Sequence, residues 1–99
     1  MEDRELSQAI VAFLGDGRTA VPANDEAAVV ACAGETDPTV LLGKVRAIVG
    51  ECLSVPIEWS GISLGEGGDL ARRAMSRRHP ELTAEALDEL RWMFTYNWR

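Results

Sequence analysis

Apolar residues recur along the chain mostly at three- and four-residue intervals, the period of a helix with one buried face. Leu6, Ala9, Ile10 and Phe13 form the first such stripe, so residues 2–14 are expected to be helical. Glu2, Asp3 and Glu5 fall in its first turn, where negative charge suits the helix dipole. Gly15-Asp16-Gly17 is a turn signal that ends it, and residues 18–23 with Pro22 form a loop.

Asn24 is then a suitable cap, followed by Asp25, Glu26 and the apolar run Ala27–Ala33. Residues 25–33 are expected to form a short buried helix ended by Gly34. A strand at Val29–Cys32 is the alternative, because a short apolar run has no decisive period. Asp37-Pro38 gives the clearest helix start, a capping carboxylate followed by a proline whose missing N–H would be unpaired anyway. The helix continues to about Leu53 on the stripe Leu41, Val45, Ile48 and Cys52. Gly43, Ala47 and Gly50 share another face, which suits either the close approach of a second helix or a plain solvent face.

Residues 54–68 break the helical period. Val55, Ile57 and Trp59 alternate around Pro56 and predict a short extended piece. Gly61, Gly65, Gly67 and Gly68 follow, and the whole stretch is expected to be one long irregular loop. A helix from Asp69 to Arg78 buries Leu70, Ala71, Ala74 and Met75, and His79-Pro80 stops it. Thr83 caps a last helix to about Trp98, with Leu82 and Leu87 at hydrophobic-staple spacing. The expected fold is all-α, a four- to five-helix bundle forming a single domain over residues 1–99.

Composition narrows the function more than the fold. The 99 residues allow one modest core, and 46% hydrophobic content excludes a disordered chain. No apolar run is long enough for a membrane span. The opening Met-Glu-Asp-Arg-Glu is unlike a secretory signal, so a cytoplasmic location is expected. Cys32 and Cys52 lie in apolar stretches and are expected to be reduced, buried thiols. Sixteen acids against ten bases give a net charge of −6, spread through both halves of the chain. Such a surface favours encounter with basic partners and disfavours nucleic acid.

Most chemical motifs are incomplete. Gly65-Glu66-Gly67-Gly68 lacks the lysine and hydroxyl of a phosphate loop, and its carboxylates repel phosphate. Arg72, Arg73, Arg77 and Arg78 make a basic cluster with no interleaved aromatic, which suits a solvated face paired with acids such as Glu66, Asp69 and Glu81. His79 has no Cys or second His at zinc-ligand spacing, and Asp16-Gly17 lacks the further oxygens of a calcium loop. No catalytic constellation, cofactor site or metal site is legible, so a binding role is expected rather than an enzyme. No motif is specific enough to name a family.

The last helix carries the strongest signal. Four of the six aromatics lie in the final eight residues. Leu87, Leu90, Phe94 and Trp98 share one face and are expected to be core. Trp92 and Tyr96 share the opposite face with Glu85, Asp88 and Glu89, and these five are the candidate partner-binding residues. Aromatics edged by acids suit a protein interface, though packing beneath another segment of the chain would also explain them. The expectation is a small acidic protein-binding domain, an immunity- or antitoxin-type inhibitor of a basic protein such as a bacterial toxin. One alternative is a homodimeric regulatory or scaffold module using the Gly43/Ala47/Gly50 strip or the last helix. A second is a small-molecule-binding helical protein with a pocket between Trp59, the 54–68 loop and Tyr96.

Overall fold

The computed structural model describes residues 2–15 and 20–98. The Asp16-Gly17 part of the first turn and the start of the loop after it lie outside the described residues. Five helices pack around one core: α1 (Arg4–Leu14), α2 (Glu26–Cys32), α3 (Pro38–Leu53), α4 (Leu64–Arg78) and α5 (Ala84–Trp98). The fold is the expected all-α bundle of five helices, with no strand among the described residues.

Helix starts follow from side-chain oxygens that meet otherwise unpaired amides. Asp3 accepts the Leu6 N–H at 3.0 Å, and Asp37 accepts those of Thr39 and Val40. At α2 the cap is Asp25, which accepts the Ala28 N–H at 3.1 Å. Asn24, expected as this cap, lies one residue too early and takes a left-handed conformation with φ 52°. Thr83 Oγ1 accepts the Ala86 N–H, and both staple residues, Leu82 and Leu87, are buried beside it. Gly15 ends α1 at φ 109°, where a side chain would be strained. Gly34 has no such role, because α2 closes on Ala33 and the Gly34 N–H turns to Glu5.

Helix α1 packs on α2, α3 and α5, while α4 lies mainly on α5. Ile10, Leu14, Val29, Leu41, Val45, Met75, Leu90, Met93 and Phe94 are almost completely buried between them. Ser7 joins them as a buried polar side chain, and its hydroxyl accepts the Thr83 N–H at 3.0 Å. That bond ties α1 to the start of α5. The Cys52 thiol faces the Leu90 carbonyl, and burial pushes its pKa up to about 12, so it stays protonated and inert. Cys32 is half-buried, and both cysteines are free thiols.

The main departure from expectation concerns the glycine run. Helix α4 begins at Leu64, five residues before Asp69, so the irregular connection is 54–63 rather than 54–68. Ser63 and Glu66 form a reciprocal capping box that starts the helix. Gly67 and Gly68 are helical and buried. A Cβ at Gly67 would lie 2.3 Å from the Trp59 ring, and one at Gly68 would lie 2.6 Å from Thr95 Cγ2. These glycines are therefore packing positions that let α4 approach Trp59 and α5. Val55, Ile57 and Trp59 do alternate inward with exposed Pro56 and Glu58, but as an irregular strap rather than a strand.

Gly43 and Gly50 behave in the opposite way. They are exposed, and a Cβ on either would meet nothing within 4 Å. Among the described residues no helix covers the Gly43/Ala47/Gly50 strip. Replacement by alanine should therefore separate the two kinds of glycine. G43A and G50A should each raise stability by about 1 kcal/mol through helix propensity alone. G67A should lower it by about 1–3 kcal/mol through overpacking against Trp59, despite the same propensity gain. Thermal or urea unfolding of the single variants measures both signs.

Candidate functional site

The outer face of α5 is built by antiparallel packing against α4. Two charge-assisted contacts set the register: Arg72 Nε to Asp88 Oδ1 at 2.8 Å, and Arg91 Nε to Asp69 Oδ1 at 2.8 Å. Arg91 also reaches the Gly65 carbonyl, and Arg72 the Ala84 carbonyl, so each clasps backbone as well as carboxylate. Both pairs are substantially exposed, and their contribution is orientation more than stability.

This register places Leu64 beside the last two turns of α5. Leu64, Trp92, Thr95 and Tyr96 line an open cleft of about 210 Å³. Trp92 and Tyr96 are both half-buried: Trp92 leans on the edge of the core, and each ring borders the cleft. Glu85 is exposed two turns below on the same face, and Glu89 is half-buried between Glu85 and Trp92. Asp88 is exposed but held by Arg72. Of the five candidate residues, then, Trp92 and Tyr96 border one cleft, Glu85 borders a separate cavity against the start of α1, Glu89 lies between them along the helix, and Asp88 turns toward α4.

The opposite aromatic group is arranged differently from expectation. Leu87, Leu90 and Phe94 are buried, but Trp98 is 50% exposed. It is the last described residue of α5. Its ring lies 5.5 Å from Trp59 and 6.0 Å from Phe94, centre to centre. Trp59 in turn stacks on Phe94 at 6.2 Å with 12° between planes. Trp59 is thus drawn to Gly67, Phe94 and Trp98, and the cleft beside Tyr96 has Leu64 as its second wall instead. The expected pocket joining Trp59 to Tyr96 is not formed by these contacts. Leu64 belonged to the presumed loop in sequence, and the Ser63–Glu66 capping box was the signal that could have placed it on a helix.

The arginine cluster pairs with acids, but not those nearest in sequence. Arg72 meets Asp88, and Arg78 meets Glu51 at 3.2 Å. His79 lies between two carboxylates, with Nε2 2.8 Å from Glu51 and Nδ1 3.3 Å from Glu81. Burial opposes its charge, but hydrogen bonds and attraction to Glu51 and Glu81 prevail and raise its pKa. The same contact with His79, helped by Arg78, lowers the Glu51 pKa. The two carboxylates bind opposite ring nitrogens, and among the described residues no three His, Cys, Asp or Glu side chains group as metal ligands.

A second concave region runs along the start of α1. Glu2, Asp3, Glu5, Glu35 and Glu81 line it together with Arg4, Gln8 and the half-buried Cys32. Glu5 is fully engaged there: Oε2 accepts N–H groups from Gly34 at 2.7 Å, Glu35 at 2.9 Å and Thr36 at 3.4 Å. The Thr36 side chain and these amides hold the Glu5 pKa at about 2. Successive amides thus form a concave anion seat that the chain fills with its own carboxylate, joining α1 to the turn before α3.

Comparison of the chain with models of known protein families, with curated proteins and with solved structures finds no match. No helix among the described residues is long and apolar enough to cross a membrane.

The Glu5 seat has a defined pH signature. Its folded pKa is depressed, so its stabilising effect is complete above the ordinary value near 4.5 and is lost as pH falls toward 2. E5A should lower the melting temperature at pH 7 and narrow the gap from wild type between pH 4.5 and 2. Melting curves across that range test this, and a constant gap would show that the seat does not discriminate charge.

Proposed function

We propose that this chain is a small protein-binding domain, of the immunity or antitoxin kind, that neutralises a basic partner through the outer face of α5. The observation that carries this reading is the cleft bordered by Trp92 and Tyr96, with Glu89 and exposed Glu85 one and two turns earlier on the same helix. Half-buried Trp and Tyr have two properties that suit an anchor. Their bases are held in place by the fold, which limits the entropy lost on binding, and their open edges offer large apolar area. Acids beside them attract a basic surface and speed encounter. The net charge of −6 adds a weaker long-range attraction.

A second reading has one observation of its own. Val40, 51% exposed, continues the uncovered strip Gly43, Ala47 and Gly50 along α3, a smooth surface for a second copy of the chain. Light scattering at high micromolar concentration separates the two readings, because self-association through this strip gives a dimer mass.

The binding reading is tested with the double variant W92A/Y96A. It should keep the helical circular dichroism of the wild type, since neither ring is wholly in the core. The wild-type chain should retain a basic protein from a lysate of its own host, with retention falling at high salt. The double variant should lose that protein by at least tenfold, the loss of about 1.4 kcal/mol or more expected from one or two hot-spot residues. Equal retention by the folded variant, or retention of acidic proteins alone, would sink the proposal.

A further inference from the structure

His79 lies where three parts of the fold meet. Its Nε2 is 2.8 Å from Glu51 at the end of α3, and its Nδ1 is 3.3 Å from Glu81 in the turn between α4 and α5. A neutral imidazole has one N–H and one lone pair, so it can donate to only one of these carboxylates. The imidazolium donates to both. The geometry therefore specifies the doubly protonated ring.

The surroundings reinforce that state and show what its loss would move. From α3, Glu51 faces the ring with one oxygen and Arg78 of α4 with the other, and the buried Cys52 thiol beside it is neutral. From the turn, Glu81 faces the ring. Its carbonyl accepts the Asp3 N–H at 2.8 Å, which docks the start of α1. Glu81 also borders the groove that holds Glu2, Asp3, Glu5 and Glu35, with Arg4 the one cation among the described residues that line it. The groups around the ring and along this groove are thus predominantly anionic.

We propose that His79 is a proton-operated latch: as imidazolium it ties Glu51 of α3 to Glu81 of the α4–α5 turn, and its deprotonation releases the Glu81 side chain from the ring and loosens the contact of this turn with the start of α1. The shorter contact keeps the remaining proton on Nε2, facing Glu51. The Nδ1 lone pair then faces Glu81 Oε2, and two acceptors with no proton between them repel, which turns the carboxylate away from the ring. Glu51 keeps its bond to Arg78, so α3 stays neutralised and the change is confined to the turn. The positive charge that offset Glu81 is lost, and the Asp3–Glu81 backbone contact is loosened. The balance is one proton, lost from Nδ1 to solvent.

The sign of the pH dependence follows. The His79 pKa is raised in the folded chain, so the stabilisation is complete below about 6.5 and disappears as pH rises through the higher folded value. Because the chain has one histidine, its ring signals need no assignment. Proton–nitrogen NMR of the full chain from pH 5 to 9 should give a single ring titration with a midpoint above 6.5. The amides of Asp3, Glu81 and Leu82 should shift with that same midpoint. E81Q should lower the ring midpoint and abolish the shared response at Asp3, and H79Q should leave all three amides flat. A ring midpoint at or below 6.5 in the wild type would overturn the latch. So would amides of Asp3 and Glu81 that stay flat while the ring titrates.

Discussion

The structure depends on two missing side chains. Helix α4 can lie against α5 only because Gly67 and Gly68 present bare backbone to Trp59 and Thr95. Glycine within a helix costs about 1 kcal/mol of propensity, and two in succession would ordinarily argue against a helix. Here the penalty is offset by the aromatic group that the close approach permits, with Trp59 covering Gly67 and stacking on Phe94. The Ser63–Glu66 capping box starts the helix early enough for both glycines to fall inside it. Without that approach, Arg72 would not meet Asp88, Arg91 would not meet Asp69, and Leu64 would not wall the cleft beside Trp92 and Tyr96.

The charge of the chain takes on a different meaning once its acids are placed. Asp3, Asp25 and Asp37 cap helices, and Glu66 completes a capping box. Glu5 fills the amide seat at residues 34–36, while Asp69, Asp88 and Glu51 hold arginines. Glu26 pairs with Arg46. Much of the excess negative charge therefore serves helix ends and helix–helix register, where carboxylates meet unpaired amides and guanidinium groups. A net charge of −6 is weaker support for a basic partner than the bare count implies. The support that remains is local, at exposed Glu85 on the helix that carries two partly open aromatics.

These two results connect the fold to the proposed interface. The α5 face is presented by a pair of helices whose spacing is set by glycine and whose register is set by arginine. Trp92 packs against the core while its ring borders the cleft, so the fold holds its base in place, which the proposed interface requires. The aromatic group on the other side, Trp59, Phe94 and Trp98, stabilises the same helix end without facing the cleft. The turn at His79 joins these helices to α3 through Glu51 and to the start of α1 through the Glu81 carbonyl.

Helical period, caps and stops were legible along the chain because they are local. Asp37-Pro38, Thr83 and the stripe Leu41, Val45, Ile48 and Cys52 act within a few residues, and each became the element it predicted. Helical geometry alone placed Leu87, Leu90 and Phe94 on the buried stripe of α5, whereas Trp98, assigned to the same stripe, is half exposed. What tertiary structure decided was whatever needed a neighbour distant in sequence. Gly67 and Gly68 resemble loop residues until Trp59 and Thr95 stand over them, whereas Gly43 and Gly50 resemble a contact strip until nothing covers them. Asp88 belongs to the outer face of an isolated helix and turns to Arg72 only when α4 is present. Glu5, Ser7 and His79 carry no sequence signal for their roles, because their partners lie 28 or more residues away at Gly34, Thr83 and Glu51. The chain's own order determines which helices form and which face each one buries. Which polar groups remain for a partner is decided only when the helices meet and satisfy one another's amides and charges.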